Sequence, residues 1–559
     1  MSSVEKEDEL VAPVDSADVT RQLTQDLFRE ASLPAWRFAV LSVGLCLGLF
    51  LSMLDASIVA TSLFTIGTEF DALDKVNWVA LAYTLSFLSC AVFLARMTDI
   101  IGRRNAFLAA FFIFFAFSLG CGFSNNLSSL IACRALQGIG GSGLFSITMI
   151  IFPELSPDRL KHLIASIVGL VIGLAGILGP ILGGVLTHLT SWRWIFWINA
   201  PIGFLSMVLF YLTWPKAEYL PAIEKRSWKD LDFVGSFLVI VSAVLVVFSF
   251  QNAGNEDAPW GRAIFLAPLI IGVLSWITLF TWEAFFERRW KDKMAAFPLG
   301  LLRNHVYAFA LLNTMFQGFP FMTTIYALPL RIQVVNEKSP LTAGLLLLPM
   351  LVTVAVGSSI GGVVTGKTKR ICETLVVATI LVTIGCALET TVSGTSKIEP
   401  KTTGFLALIG LGFGLSVSSS TTLTVLEAPI HEHAPAQGIL AQVRILGGSL
   451  GIAASSAILG VRQRADLAGE VPLSALQGDQ HGLSPEQLRL VRATYNDVFT
   501  ETMKVCAVVA GIGILFALGT FRHNRLTPEE QRKAQVRAEV ERRKAHRVPA
   551  EVASTGTSA

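Results

Sequence analysis

The chain of 559 residues is 52% hydrophobic and only 15% charged, with a formal net charge of +3. A soluble chain devotes about a quarter of its residues to Asp, Glu, Lys and Arg, so this composition excludes an ordinary water-soluble globule. The small net charge gives no footing for a nucleic-acid partner, and where the cations sit matters more than their sum.

The first thirty residues are polar and charged and lack the short apolar core and cleavage pattern of a signal peptide, so 1–36 is expected as a disordered cytosolic N-terminus. Apolar windows of the length a hydrocarbon core demands, roughly 20 residues as helix, then recur. They lie near 37–60, 77–95, 105–124, 127–151, 162–187, 193–213, 232–250, 263–283, 307–330, 342–365, 372–392, 403–425, 437–460 and 502–521. Lipid offers no water to backbone groups, so these segments must be helices. The expected class is an all-α membrane protein of about 14 transmembrane helices, both termini on one side.

Cation placement orients it. With the N-terminus inside, the inside loops hold Arg96, Arg103 and Arg104; Arg159 and Lys161; Lys216, Lys225, Arg226 and Lys229; Arg288, Arg289, Lys291, Lys293 and Arg303; and Lys367, Lys369 and Arg370. The short outside loops hold few, among them Arg193, Arg262, Arg331 and Lys401, which is the bias of the positive-inside rule. The outside stretch 462–500 is longer, and Ser484-Pro485-Glu486 reads as the start of a surface helix within it. Thr527-Pro528-Glu529-Glu530 caps a charged helix in the tail. The basic turn from Arg96 to Arg104 has a counterpart at Thr365 to Arg370, and the glycines of the fifth window have counterparts at Gly438, Gly447, Gly448 and Gly451. The chain therefore divides into an N-terminal six-helix bundle (37–213), a linker with two inserted helices (214–306), a C-terminal six-helix bundle with the long outside loop (307–521) and a charged cytosolic tail (522–559).

Several polar groups in the windows point to chemistry. Arg134 lies about one turn inside a helix that crosses lipid, where an unpaired guanidinium costs several kcal/mol, so it must face a polar interior or a carboxylate. Asp55 is the nearest carboxylate by depth. A carboxylate that alternates between a cation and open access supplies what a proton antiporter needs, so Asp55 and Arg134 are expected to carry proton coupling; the alternative is a static structural pair. Asp99, Gly102, Arg103 and Arg104 read either as a conformational latch between helix ends or as a topology-setting cationic loop. Gly179, Pro180, Gly183 and Gly184 permit close helix approach and a bend, hence a hinge or simply tight packing. Gln137, Asn313, Gln317, Gln442 and Arg444 are the candidates to line a substrate cavity, whereas Glu389 and Glu427, near window ends, read as solvated.

Other patterns exclude classes. Gly361-Gly362-Val363-Val364-Thr365-Gly366-Lys367-Thr368 fits the phosphate-loop spelling, but it closes an apolar window where that loop needs a buried strand before it, so no nucleotide is expected. Seven cysteines without a C-x-x-C pair, and the isolated pair His431 and His433, give no metal site. Asn126-Leu127-Ser128 makes Asn126 a glycosylation candidate on the outside face. No nucleophile–base constellation appears, so no enzyme is expected.

Five motifs in order carry a family resemblance. Leu54-Asp55-Ala56-Ser57-Ile58-Val59-Ala60-Thr61 is similar to the first-span motif L-D-x-T-I-V-A-T-A-L-P, with Phe64 where that motif closes on proline. Asp99, Gly102, Arg103 and Arg104 match G-x-L-A-D-R-x-G-R-R, with Ala95 at its first glycine. Arg134, Gln137, Gly138 and Gly140 match R-x-x-Q-G-x-G, and Gly179-Pro180-Ile181-Leu182-Gly183-Gly184 is similar to the fifth-span exporter signature, with Ser166 and Ala175 at earlier glycine positions. The run from Trp192 to Gly203 is the longest unbroken match. Over roughly residues 37 to 521 the chain resembles the 14-span drug:proton antiporters of the major facilitator superfamily, particularly fungal efflux pumps for drugs, mycotoxins and secondary metabolites. The resemblance implies export of a small hydrophobic organic molecule in exchange for protons, no cofactor beyond the proton gradient, a monomer, and residence in the plasma membrane, the vacuolar membrane being the alternative. Uptake of a nutrient or metal chelate through the same fold, and a non-transporting membrane sensor, stay open as other readings.

Overall fold

The computed structural model describes residues 34–555 apart from 60–61, 73–75, 158–160, 216–226, 253–260, 291–292, 294, 339, 396, 468–469, 472–483 and 524. These residues form helices and contain no β-strand. In chain order the long ones are α1 (Ala35–Ile58), α2 (Asn77–Ile101), α3 (Arg103–Gly122), α4 (Leu127–Leu155), α5 (Lys161–Leu189), α6 (Asn199–Thr213), α7 (Phe233–Asn252), α8 (Ala263–Arg289), α9 (His305–Val334), α10 (Leu348–Lys367), α11 (Ile371–Glu389), α12 (Lys401–Glu427), α13 (His433–Leu467), α14 (Pro485–Gly519) and α15 (Pro528–Thr555).

Among the described residues 13 helices are long and apolar enough to cross a membrane. The expected window near 307–330 is not one of them. It forms the 30-residue α9, but Asn313, Gln317 and Arg331 dilute its hydropathy, and those side chains are buried against other helices, where lipid does not meet them. Apolar outer faces fit the bilayer instead: α8 exposes Ile270, Ile271, Val273, Leu274 and Ile277.

The packing repeats. α4 lies on α2 and α3, as α12 lies on α10 and α11; α1 touches α5 and α6, as α9 touches α13 and α14. Glycines permit the equivalent approaches: Gly179 of α5 faces Ser57 and Ile58 of α1, and Gly447 and Gly451 of α13 face Met315 and Phe319 of α9. The two six-helix groups meet along α5 with α10 and along α2 with α13. The inserted α7 packs on α8 and docks against both α2 and α13, so it covers one of the two seams.

Two sequence readings change here. Residues 462–500 are largely the continuations of two spanning helices, since α13 runs to Leu467 and α14 starts at Pro485. Ser484 and Gln487 form a capping box, and with no breaker after it the expected surface helix is the unbroken beginning of α14. The phosphate-loop look-alike is the last two turns of α10, with Gly361 packed against Ser418 of α12.

Candidate functional site

The deepest polar cluster lies in the first bundle, toward the helix ends remote from the Arg103 turn. Asp55 in the last turn of α1, Arg134 two turns into α4 and Asn199 at the start of α6 converge there. Asp55 and Arg134 are each 0% exposed and form an ion pair through Arg134 Nη1. That nitrogen also donates to Gln137 Oε1 at 2.9 Å, and Nε donates to the Val79 carbonyl at 3.1 Å. Asp55 Oδ1 accepts from Gln137 Nε2 at 3.0 Å and from Asn199 Nδ2 at 2.9 Å. Asn199 also donates to Ser118 Oγ of α3 at 3.0 Å. The guanidinium stands 4.3 Å from the centre of the Tyr83 ring, whose hydroxyl donates to the Ser52 carbonyl at 2.6 Å. Burying two charges costs several kcal/mol per ion, which only close pairing with further hydrogen bonds offsets, and this network supplies both. Gln137, three residues from Arg134 and on the same face of α4, is a partner of the pair and does not stand free in a cavity.

At the opposite end, Gly102 joins α2 to α3 at φ 86°, a conformation that favours glycine. Arg103 Nη1 pairs with Asp99 Oδ1 at 2.6 Å, and the guanidinium fork binds Glu154 of α4 at 3.0 and 3.1 Å. Arg104, about 100° further round the helix, lies over the Tyr211 ring at 4.5 Å and takes no part in that cluster. The group therefore ties α2, α3 and α4 within one bundle. Among the described residues, an ion pair that spans the bundles is Arg96 of α2 with Glu432, which precedes α13, at 2.9 Å.

The second bundle holds the other candidates. Asn313 donates to Thr379 Oγ1 at 3.0 Å and the Gly513 carbonyl at 2.9 Å, so it ties α9 to α11 and α14 and does not line a seam. Gln317 and Gln442 are buried with amide atoms that have no hydrogen-bond partner, and Arg444 is half-buried with its Nη2 donating to Ser420 Oγ of α12 at 3.1 Å. Arg331, read from sequence as a loop cation, is buried, donating to the Ser393 carbonyl at 2.7 Å and to Asn496 Oδ1 at 3.2 Å. Glu389, expected at a solvated interface, is buried beside α14, whereas Glu427 is half-buried. Glu427 pairs with Arg525 at 2.9 Å, while neither Glu389 oxygen has a hydrogen-bond partner.

Among the hinge candidates Gly179 and Gly183 are buried, a side chain at Gly184 would meet nothing within 4 Å, and the side chain of Pro180 lies outside the described residues. Asn126 is exposed and N-caps α4, its Oδ1 accepting from Ser129 N at 2.7 Å. Sequence reasoning missed Asn199, Ser118, Tyr83, Glu154 and Glu432. Asn199 had a signal, a carboxamide inside the run from Trp192 to Gly203; the others read as ordinary residues of helices and loops.

Residues 45–452 match the family model of the Major Facilitator Superfamily. The MFS-type transporter FPY5 of Fusarium mangiferae is 32% identical over 515 residues, covering 89% of this chain and 86% of that protein. The efflux pump FUS6 of Gibberella moniliformis is 29% identical over 438 residues, covering 78% of this chain and 77% of that one. Among solved structures, a bacterial homologue of the human lysosomal transporter Spinster, inward-facing and unoccupied, superposes with a TM-score of 0.53 at 15% identity, over 87% of this chain and 97% of that one. That likeness is one of fold.

Proposed function

This chain belongs to the major facilitator superfamily, a family of transporters and not of enzymes, and from that premise we propose that it exports small hydrophobic organic molecules by proton antiport with alternating access. The buried ion pair of Asp55 and Arg134 carries the reading. A proton arriving at Asp55 cancels the charge that holds Arg134, Gln137 and Asn199 around it, and the network must then rearrange, which links protonation to helix movement. In this reading Asp55 takes the proton and Arg134 competes for the carboxylate when the proton leaves. The export direction is supported by relatives named as efflux pumps. The end that carries Arg96, Arg103 and Arg104 faces the cytosol, as the cation bias favours, with the protein in the plasma membrane.

The test is efflux from cells expressing the protein, with a panel of fluorescent hydrophobic compounds that includes cations, neutral molecules and anions. Efflux of at least one should collapse with the proton gradient and fall at least about tenfold in Asp55→Asn at matched surface expression. Gradient-dependent efflux that survives Asp55→Asn would move coupling to another group, and no efflux of any panel member would overturn export.

A further inference from the structure

Arg444 differs from the buried arginines of the helices. Arg96 has Glu432, Arg103 has Asp99 and Glu154, Arg134 has Asp55, and Arg331 lies in the field of Glu389. Among the described residues no carboxylate forms an ion pair with Arg444; its one hydrogen bond goes to the neutral Ser420 Oγ at 3.1 Å. The residue lies about 17 Å along α13 from His433, near mid-depth for a hydrocarbon core of roughly 30 Å, where an unmatched guanidinium is costly. It is also only half-buried, so protein does not enclose all of its remaining donors. Its stretch of α13 borders the seam, because Ala441 and Ile445 pack into the core of the first bundle.

A second observation points the same way. Gly318 of α9 packs against the Arg444 carbonyl, and Ser420 of α12 holds its guanidinium. Within two positions of these contacts and of Arg444 itself, Gln317, Ser419 and Gln442 carry buried polar atoms without a hydrogen-bond partner. Such atoms are rare in folded proteins unless something else satisfies them. A planar guanidinium with open donors, set at the seam in a part of the fold that holds further unsatisfied polar atoms, fits an acidic group on a hydrophobic body.

We propose that Arg444, oriented by Ser420, forms the acid-binding end of the transport site, so that the exported compound is an amphipathic organic anion bearing a carboxylate, sulfonate or phosphate. This rests on the transport reading above, and it narrows the cargo from hydrophobic compounds in general to hydrophobic acids. The anion neutralises Arg444 while it is bound, and its departure restores an unmatched charge that favours the next one.

The experiment measures binding of pyrenebutyrate and of its uncharged methyl ester to the purified protein in nanodiscs by fluorescence anisotropy. The acid should bind at least about tenfold tighter than the ester, from the greater strength of a hydrogen bond to a charged group. Arg444→Gln should erase that preference and leave ester affinity unchanged, while Arg444→Lys keeps part of it. Equal affinity for acid and ester, binding of neither, or loss of both in Arg444→Gln would overturn the proposal. If Arg444→Gln does not fold, the wild-type acid-to-ester ratio decides. Acid-selective binding without gradient-driven flux would sink the transport reading and leave the site, whereas gradient-driven efflux of cations with no acid preference would sink the site and leave the transport reading.

Discussion

Asp55 and Arg134 were visible in the sequence because ionisable side chains are rare inside spans, and each rarity asks for a partner. Ser118 was not, and Asn199 was marked only by its place in the run from Trp192 to Gly203, since a neutral polar residue in a helix is as often bonded to its own backbone as to a site. Their importance comes from convergence of α1, α3, α4 and α6 on one carboxylate. Removing Arg134 alone leaves a buried charge uncompensated, so Arg134→Gln should destabilise the protein by about 3–5 kcal/mol, and the double variant Asp55→Asn/Arg134→Gln by less. Thermal melts of the purified protein measure the difference; equal losses would mean that the pair is not charged. Outside the spans, Glu69 accepts from Trp192 Nε1 at 2.5 Å and pairs with Arg193 at 2.7 Å. Burial on its own would raise its pKa, but the Trp192 and Arg193 hydrogen bonds and the Arg193 charge hold it below the ordinary glutamate range. A depressed carboxylate adds stability above the unfolded pKa and loses it as pH falls through the folded one. Glu69→Gln should therefore lower the melting temperature at pH 7, with the gap closing on acidification below the usual carboxylate range; a constant gap would refute the ionic origin.

Helix length and polarity account for where sequence windows and observed elements part. α9 fell short of a lipid-facing span because its polar side chains lower its hydropathy, and it can carry them because it buries residues from Val306 to Ile332 on every turn. α13 and α14 outran their windows because a capped helix continues until something breaks it, and hydropathy does not mark that point. Glycine positions show the same limit. The sequence ranked Gly184 with the hinge, yet it has open space beside it, while Gly447 packs directly on the Met315 carbonyl of α9. Gly447→Leu should cut the yield of monodisperse protein severely and Gly184→Leu should leave it near wild type, as size-exclusion profiles of the two variants would show. Comparable yields would mean that α9 and α13 can separate.

The two bundles share seams that only long-range packing creates. Near the basic end, a Cβ at Gly438 of α13 would lie 3.1 Å from that of Ala95 of α2, beside the ion pair of Arg96 and Glu432. Disulfides bring Cβ atoms to about 3.5–4.5 Å, so Ala95→Cys/Gly438→Cys, built in a variant lacking the seven native cysteines, should cross-link after a shift of a few tenths of an ångström. Oxidation should stop flux and reduction restore it if the proposed alternating access opens this seam; full flux while cross-linked would require another gate. Length and apolar composition were enough to establish a polytopic helical protein, because a bilayer leaves no other solution for such segments. Which charges meet was settled only in three dimensions. Arg96 finds Glu432 across a seam, Arg103 finds Glu154 across a bundle, Glu389 is enclosed without a hydrogen bond, and among the described residues Arg444 is held by a serine and by no carboxylate. Hydropathy measures how unwilling a segment is to meet water, whereas a side chain's partner depends on the rotation and depth of helices far apart in sequence.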